Sequence, residues 1–582
     1  MNIYSMKSFA VVLTTAATVG LALAGCSTSG SAPASTSGNS AAASSSPSTP
    51  VVKSCIELSG MAIPAASIGL PTNGGKVTSA ILFPAAGKDA AAVGKYCEVE
   101  GEIAPVDPKS PKILFKVALP ETWNKKALMF GGGGFNGSVP NVAQNVPAGP
   151  ANQLTPLGRG YATFASDSGH QATAYGSQDG SSFIHEEAVR NFGGEALKKT
   201  RDAAITIIKA RYGENPEKSY FAGGSTGGRE ALTAIKRWPS DWDGAIAWYP
   251  AWNNLSAWLA GHKVNLALSK PGAYPNQAKK KLIFDAAMEA CDGLDGVTDG
   301  LVSNQVKCNA IFDPSTATFK GAPLRCPGGA DTGDVCLSDA QITALKALDT
   351  DTKFNFFLAS GEKQFPGYNM WGSDLGMDHK HPIQKWVKWL AFGTTPPQNP
   401  QTQTGPYISL MVDQWIKYMV TRDPDFDSYQ LDPENPGAWA GRISQLSTYF
   451  NEKSDISAFE ARGGKLLLAH GLSDVLVSTR TTEQYYQKLQ AQMGYTKVDT
   501  FVRFYEVPGY GHALSTVFHA SWDSLTALES WVEKGTAPEN QVVMDGIGVP
   551  GRTRPLCDYP GWPKYNGSGD INLASSFTCA TY

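Results

Sequence analysis

The chain has 582 residues, of which 42% are hydrophobic and 17% are charged, and its formal net charge is −3 at pH 7. This length and apolar content support an extensive buried core in more than one unit. The near-neutral balance, without a basic stripe along the sequence, argues against a nucleic-acid-binding protein.

The first 25 residues predict a lipoprotein signal peptide and not a part of the fold. The apolar run of residues 9–23 is too short for a stable membrane span, and residues 23–26 (Leu-Ala-Gly-Cys) resemble a bacterial lipobox. We therefore expect lipidation of Cys26, followed by a flexible Ser/Ala-rich tether over residues 26–53. The alternative is a plain signal peptide cleaved in the same small-residue segment. The protein is predicted to be exported, and either lipid-anchored at the bacterial cell envelope (periplasmic or at the surface) or secreted, with the lipid as its only membrane contact.

A glycine-rich segment follows an early predicted strand. Residues 126–130 (Lys-Ala-Leu-Met-Phe) run into four consecutive glycines, residues 131–134. Glycine lets a backbone N–H approach a substrate oxygen closely, so we predict that the N–H of Gly131 is one donor of an oxyanion hole. The alternatives are a flexible loop and a phosphate-binding loop, and the second is disfavoured because no Lys-Ser/Thr pair follows the glycines.

Residues 223–227 (Gly-Gly-Ser-Thr-Gly) lie between a strand-like apolar run and a helix-like run. A strand, a tight glycine-flanked turn carrying Ser and a helix form the nucleophile elbow of α/β-hydrolases. We therefore predict Ser225 as the nucleophile and the N–H of Thr226 as the second oxyanion donor. The pattern alone has low specificity. The alternative is an ordinary glycine-rich turn, so the interpretation requires an acid and a His further along the chain.

Residues 251–455 predict a lid domain inserted between two parts of the core, residues 54–250 and 456–582. The segment that separates Ser225 from the next catalytic candidate is far longer than one or two βα units require. Its aromatic residues either wall a pocket for a flat apolar ligand or form the lid's own core. These residues are Trp252, Trp258, Trp371, Trp386, Trp389, Phe392, Tyr407, Trp415 and Tyr418.

An acidic, glycine-containing loop lies inside the predicted lid. The carboxylates of Asp292, Asp295 and Asp299 and the carbonyls of Val297 and Leu301 suit a loop that wraps a hard cation, and we predict structural Ca²⁺ held by these five residues. The spacing is not that of an EF-hand. The alternative is an acidic, solvated turn.

The acid and the His follow in the chain order of α/β-hydrolases. Asp474 comes shortly after the buried strand-like residues 465–471, and His512 comes after the strand-like residues 501–507. Both follow the carboxyl end of a strand, where open α/β sheets bind their ligands. We predict His512 as general base and then acid, and Asp474 as the residue that orients it. His470 is the main rival to His512.

Eight cysteines remain besides Cys26, and an even number in an exported chain predicts four disulfides. Nearest-neighbour pairing is the simplest of many arrangements, and the sequence does not fix the connectivity. No Cys/His cluster suggests zinc. The eight are Cys55, Cys97, Cys291, Cys308, Cys326, Cys336, Cys557 and Cys579.

Several motifs in order make the chain similar to the tannase/feruloyl esterase family. They are residues 220–230 (Tyr-Phe-Ala-Gly-Gly-Ser-Thr-Gly-Gly-Arg-Glu), 291–296 (Cys-Asp-Gly-Leu-Asp-Gly), 508–512 (Pro-Gly-Tyr-Gly-His), 552–557 (Arg-Thr-Arg-Pro-Leu-Cys) and 567–572 (Gly-Ser-Gly-Asp-Ile-Asn). The resemblance implies an α/β-hydrolase core, with a mostly parallel sheet and helices on both faces, and a large inserted Ca²⁺-binding lid. It also implies a serine carboxylesterase that cleaves small esters of aromatic acids without an organic cofactor. The family's triad, calcium ligands and oxyanion donors fall on the residues predicted above.

Two departures from the family pattern bear on the site. Family members usually carry a disulfide beside the triad at the positions of Gly224 and Ala513, so the chain is expected to be a member without this disulfide and with looser coupling of the catalytic loops. A lid Arg that holds a terephthalate carboxylate in one member has no counterpart near residues 403–410. We therefore expect an uncharged or phenolic acyl group, such as a hydroxycinnamate or gallate, in contact with Trp389 and Val477.

Other functions remain open at this stage. The enzyme alternatives are hydrolysis of terephthalate monoesters and peptidase activity on the same fold. The non-enzyme alternative is a surface lipoprotein that binds ligands without catalysis, although the ordered Ser, Asp and His argue against it. We expect a monomer.

Overall fold

A computed structural model describes residues 52–581. The predicted signal peptide, Cys26 and nearly all of the predicted tether lie outside the described residues. The segment from Val51 to Tyr582 forms one compact unit.

Nineteen strands lie in the described residues. They are β1 Ala62–Ile63, β2 Gly75–Phe83, β3 Tyr96–Ile103, β4 Ile113–Pro120, β5 Lys126–Phe130, β6 Ala162–Ser166, β7 Lys218–Gly224, β8 Gly244–Trp248, β9 Thr318–Phe319, β10 Ala322–Pro323, β11 Thr352–Lys353, β12 Gln364–Phe365, β13 Lys465–Gly471, β14 Val502–Val507, β15 Ala520–Ser521, β16 Val542–Asp545, β17 Thr553–Pro555, β18 Gly561–Tyr565 and β19 Phe577–Thr581.

Fourteen α-helices accompany them in the same residues, with short 3-10 and π turns between some. They are α1 Glu186–Arg190, α2 Ala196–Tyr212, α3 Thr226–Arg237, α4 Asn254–Leu268, α5 Gln277–Cys291, α6 Gln305–Ile311, α7 Asp339–Asp349, α8 Gln384–Leu390, α9 Tyr407–Trp415, α10 Ala440–Phe450, α11 Ser457–Ala461, α12 Thr479–Met493, α13 Tyr495–Asp499 and α14 Ser524–Lys534. Within the described residues, no helix combines the length and apolar character needed to cross a bilayer.

Ten strands form the central sheet in the order β1-β2-β3-β4-β6-β5-β7-β8-β13-β14. The pairs from β1 to β6 are antiparallel, and those from β6 through β5 to β14 are parallel. Strands β6 and β8 are buried at every position, because helices cover both faces of a parallel sheet. Pairing aligns Gly224 with Trp248 and Trp248 with Ala469, so the carboxyl ends of β7, β8 and β13 share one edge.

Apolar clusters cover both faces of this sheet, because side chains alternate along each strand. Phe221 of β7 lies in one cluster with side chains of α2, α3 and α12. Its neighbour Tyr220 lies in the other cluster, together with side chains of α14. The predicted α/β-hydrolase fold is confirmed, with a mixed sheet that is parallel in the half that carries the candidate site.

A third cluster is built mainly by the inserted segment, from α4, α5, α7, α9 and α10. Phe135, Phe183 and Phe192 from the first part of the core also belong to it, so the insertion packs against that part. The lid boundary at residues 251–455 stays a prediction. Trp371 and Trp415 are fully buried in this cluster. For these two residues the structure therefore favours a place in the core of the inserted segment over a place in a pocket wall.

The eight cysteines pair as Cys55–Cys97, Cys291–Cys308, Cys326–Cys336 and Cys557–Cys579. The predicted disulfide bonds are therefore confirmed, and their pairing is the nearest-neighbour one. Four disulfides in one domain are typical of exported proteins.

The expectation of a family member without the disulfide usually found beside the triad is wrong as a description of the cross-links in this chain. Four cysteine pairs lie at bonding distance, one of them linking α5 to α6 and another linking β19 to the segment between β17 and β18. The expectation rested on two positions, Gly224 and Ala513, whereas the eight cysteines cross-link other parts of the chain. The looser coupling inferred from it is withdrawn.

Candidate active site

Ser225 lies on the turn from β7 into α3, with backbone angles of φ 60° and ψ −125°. A non-glycine residue in such a conformation costs about 1–3 kcal/mol, which the surroundings must offset. The Ser225 N–H donates to Trp248 O at 3.1 Å, and its carbonyl accepts from the Ala251 N–H at 3.1 Å. A Cβ on Gly223 would lie 2.2 Å from Gly227 O, so only glycine permits the close approach of helix and strand. The turn has the strand-turn-helix form predicted from the sequence.

The structure brings the three predicted catalytic residues together. His512 Nε2 lies 3.0 Å from Ser225 Oγ, and His512 Nδ1 lies 2.8 Å from Asp474 Oδ2. Because Asp474 accepts from Nδ1–H, Nε2 is free to accept the Ser225 proton. The arrangement suits nucleophilic attack by Ser225 with His512 as the base.

Asp474 is fully buried, and backbone and side-chain donors surround it. Its Oδ1 accepts from the N–H groups of Leu476 and Val477 at 2.8 and 2.9 Å. Burial alone would raise the pKa of Asp474, but the charge of His512 and hydrogen bonds from His470 and His512 hold this pKa below its usual value. The carboxylate is thus kept ionised.

The rival His470 occupies a different place in the site. Its Nδ1 lies 2.8 Å from Thr482 Oγ1, and its Nε2 lies 3.0 Å from Val477 O and 3.3 Å from Asp474 Oδ2. His512, and not His470, is the histidine hydrogen-bonded to Ser225. His470 instead contacts Asp474 and helps to lower the pKa of its carboxyl group.

A cavity of about 440 Å³ opens onto Ser225 and His512. The other predicted contacts, Gly131, Thr226, Trp389 and Val477, all line it. Apolar and aromatic side chains dominate the wall, and no Asp, Glu, Lys or Arg among the described residues takes part. A cavity of this size and character suits a flat aromatic group.

The backbone of the glycine loop is committed in part to other contacts. The N–H of Gly131 donates to Ala222 O at 3.0 Å, and that of Gly132 donates to Glu230 Oε2 at 2.9 Å. The N–H of Gly131 is therefore engaged in pairing with β7, and this geometry does not support its predicted role as an oxyanion donor. Within residues 52–581 the next N–H in the loop, that of Gly133, has no hydrogen-bond acceptor. Thr226 is the first residue of α3, where N–H groups lack intrahelical partners.

Glu230 holds the glycine loop against α3. It is buried, and Oε1 accepts from Asn136 Nδ2 at 2.7 Å and from Ser168 Oγ at 3.2 Å, besides the bond from Gly132. Burial raises the pKa of Glu230, and these donors oppose the shift. Glu230 was not among the residues predicted from the sequence, although an ionisable side chain in the helix that follows the nucleophile turn is itself a signal.

The predicted calcium loop gathers three acidic side chains at the end of α5. Burial raises the pKa of all three carboxyls, that of Asp295 to about 6, and the charge of Asp299 adds to the shift at Asp292 and Asp295. Asp295 Oδ2 is buried without a hydrogen-bond partner, whereas Asp299 Oδ2 contacts Arg554. In the described residues no group of three or more acidic, His or Cys side chains is arranged to hold a metal. Carboxylate and carbonyl oxygens are ligands that suit Ca²⁺, and one of these oxygens, Asp299 Oδ2, is paired with Arg554 in this structure.

Sequence reasoning also missed Tyr249, which lines the cavity. Its ring centroid lies 4.9 Å from that of His512, and its φ is +34°, which is uncommon for a non-glycine residue. Its position directly after β8, at the edge where Ser225 and Asp474 are placed, was the available signal.

Comparisons with known proteins agree with the fold and identify the family. The family profile described as tannase and feruloyl esterase matches residues 97–580. An uncharacterized esterase of Agrobacterium fabrum is 38% identical, over 90% of this chain and 93% of its own length. A mono(2-hydroxyethyl) terephthalate hydrolase of Piscinibacter sakaiensis is 32% identical, over 84% of this chain and 86% of its own.

Two solved structures share the fold. Feruloyl esterase B from Aspergillus oryzae superposes with a TM-score of 0.69 at 23% identity, covering 89% of this chain and 98% of that one. Tannin acyl hydrolase from Aspergillus niger gives a TM-score of 0.64 at 20% identity, covering 89% of this chain and 94% of that one.

Proposed function

The chain belongs to the tannase and feruloyl esterase family, and from this premise we propose that it hydrolyses esters of aromatic acids through an acyl-serine intermediate. It is a carboxylic ester hydrolase, in agreement with the prediction from sequence. The observation that carries the proposal is the hydrogen-bonded set of Ser225, His512 and Asp474 at an uncharged, aromatic-lined cavity.

The proposed reaction has two steps. His512 Nε2 takes the proton of Ser225 Oγ as the oxygen attacks the ester carbonyl, and then gives that proton to the departing alcohol. In the second step His512 takes a proton from water, the hydroxide attacks the acyl-serine, and the acid leaves as Oγ recovers its proton. Asp474 holds the imidazole tautomer and balances the charge of the imidazolium.

The oxyanion needs N–H donors that have no other acceptor. We propose the N–H of Thr226 as one of them, in agreement with the sequence prediction. Since the N–H of Gly131 donates to Ala222 O, we propose the N–H of Gly133 as the second. Gly133 lines the cavity and follows the two glycines whose N–H groups are already engaged.

The walls of the cavity favour an uncharged acyl group. Trp389 stands edge-on to Tyr407, with ring centroids 4.8 Å apart, and both line the cavity. A second carboxylate on the acyl ring would meet no Lys or Arg among the lining residues of the described chain. We therefore propose feruloyl- or galloyl-type esters as substrates. The terephthalate monoester named for the Piscinibacter sakaiensis relative is the second candidate, because that relative is 32% identical.

We further propose Ca²⁺ at the acidic loop, held by the carboxylates of Asp292, Asp295 and Asp299 and the carbonyls of Val297 and Leu301. The unpartnered Oδ2 of Asp295 and the raised pKa of the three carboxyls support it, and the ion would neutralise buried negative charge away from the reacting atoms. Export is supported by the four disulfides, and we propose that Cys26 carries the lipid anchor and that the protein acts as a monomer.

The test is hydrolysis of methyl ferulate, methyl gallate and mono(2-hydroxyethyl) terephthalate by the exported form, with Ser225→Ala as the matched control. We expect turnover of a phenolic ester in the wild type and none in the variant. Preference for the terephthalate ester would replace the proposed substrate class by the second candidate. Absence of turnover of every ester by the folded, Ca²⁺-supplied protein would refute the proposal.

A further inference from the structure

We propose that Tyr249 is a positioning residue that ties the loops of Ser225, Asp474 and His512 together and holds the imidazole in line with Ser225 Oγ. The proposal rests on the proposed function, since it assigns a role within that site. Tyr249 is a buried, non-glycine residue with an unusual backbone angle, φ +34°. Strained backbone of this kind persists where the surroundings enforce it, often at functional sites.

The backbone of Tyr249 lies between two of the three loops. Its N–H donates to Ala469 O at 2.7 Å, on the strand that leads to Asp474. The preceding carbonyl, of Trp248, accepts from the Ser225 N–H, and the N–H of Ala251 donates to Ser225 O, both at 3.1 Å. The segment after β8 therefore fixes the nucleophile's backbone from both sides while it is itself fixed to β13.

The ring of Tyr249 reaches the third loop. Its centroid lies 4.9 Å from the imidazole of His512, with the two planes tilted by 58°. On the nucleophile side the ring fills the space next to Gly224, where a Cβ would lie 2.6 Å from ring carbon Cε2. The ring thus lies between the end of β7 and the imidazole, and it limits the rotation of His512 toward the sheet.

The ring of Tyr249 also contacts the His512 loop through Tyr510. The two ring centroids lie 6.2 Å apart, with the planes at 60°. The hydroxyl of Tyr510 donates to the carbonyl of Ala513 at 2.8 Å. Ala513 follows His512 and has φ +61°, so this ring contact and hydrogen bond restrain a strained turn next to the base.

The role predicts a loss of rate more than a loss of substrate affinity. A misplacement of about 1 Å between reacting groups costs on the order of 100-fold in rate. We expect Tyr249→Ala to lose about this factor in kcat, with KM changed less than about 3-fold. Tyr249→Phe keeps the ring that contacts His512 and fills the space next to Gly224, so we expect a rate within about 3-fold of the wild type.

The experiment measures phosphorylation of Ser225 by diethyl p-nitrophenyl phosphate, followed through released p-nitrophenolate, and turnover of p-nitrophenyl acetate. The phosphate triester reports alignment of Ser225 and His512 without the natural substrate. Tyr505→Phe is the matched control, because that buried hydroxyl donates to Pro538 O at 3.0 Å and does not contact the three catalytic residues. We expect the control to react at the wild-type rate.

A double-mutant cycle guards against misfolding of the Ala variant. Tyr249→Leu and Tyr510→Leu each remove one ring of the same contact beside His512, so the double variant should lose less than the sum of the two single losses. Additive losses, or wild-type phosphorylation by folded Tyr249→Ala, would overturn the positioning role. Failure of the wild type to be phosphorylated at all would instead overturn the proposed serine-hydrolase function.

Discussion

Replacement of Glu230 tests whether a buried carboxylate sets the shape of the glycine loop (residues 131–134), which carries the proposed oxyanion donor Gly133. This side chain accepts from Gly132 N at 2.9 Å, from Asn136 Nδ2 at 2.7 Å and from Ser168 Oγ at 3.2 Å. Glu230→Gln keeps the shape and one acceptor oxygen, but places an NH₂ group opposite one of the donors. Glu230→Ala removes both acceptors and leaves a cavity beside α3.

The magnitudes follow from these contacts. A buried donor without an acceptor costs about 1–3 kcal/mol, so Glu230→Gln should lose about that amount of unfolding free energy. Glu230→Ala removes the acceptor of Gly132, Asn136 and Ser168, although Asn136 Nδ2 keeps its hydrogen bond to Ser168 Oγ, and the variant should lose roughly 2–6 kcal/mol. Loss of a whole oxyanion donor costs about 10²–10³ in kcat. Because Glu230→Gln only disturbs the loop that carries the proposed donor Gly133, we expect a decrease of about 10-fold.

The assay combines urea unfolding, followed by tryptophan fluorescence, with kcat for p-nitrophenyl acetate. Glu452→Gln is the matched control. Glu452 is also buried and accepts from Thr233 Oγ1 and Arg237 Nη2 of the same helix, at 2.8 and 2.9 Å, without contacting the glycine loop. It should lose stability and keep kcat. If Glu230→Gln loses stability to the same extent as the control and also keeps the wild-type kcat, the reasoning is refuted.

Three further predictions concern the pocket, the acid and the metal. Trp389→Ala should raise KM for methyl ferulate about 10-fold, since it removes an aromatic wall of the cavity worth about 1–2 kcal/mol, and an unchanged KM would contradict the contact. The pKa of Asp474 is lowered from 3.8, so its contribution to the free energy of unfolding is complete above pH 3.8 and declines as the pH falls further. Asp474→Asn should remove this decline, as measured by denaturation at pH 2–5. An identical decline in the variant would exclude Asp474 as its source. EDTA should lower the melting temperature of the wild type, and Asp295→Asn should abolish the effect; a melting temperature insensitive to both EDTA and added Ca²⁺ would exclude the metal.

The order of residues along the chain was sufficient to predict the fold and the candidate triad. Each of the three residues follows the carboxyl end of a strand: Ser225 in a glycine-flanked turn, then Asp474, then His512. Each position can be recognised from the residues next to it in the sequence. The even set of cysteines was sufficient for four disulfides. Gly224 and Ala513 were not sufficient to describe the chain as a member without the disulfide beside the triad, a description that Cys291–Cys308 and the other three pairs contradict.

Only the tertiary structure decides which polar atoms are already engaged. The sequence marks Gly131 as able to approach a substrate, but it does not show that the N–H of this residue donates to Ala222 O, a partner far along the chain. The same holds for Glu230 and Tyr249, whose roles depend on Gly132 and His512 meeting them across the fold. Sequence patterns specify residue types and local turns. Hydrogen-bond partners and ring contacts between distant segments depend on distances that the packed structure alone fixes.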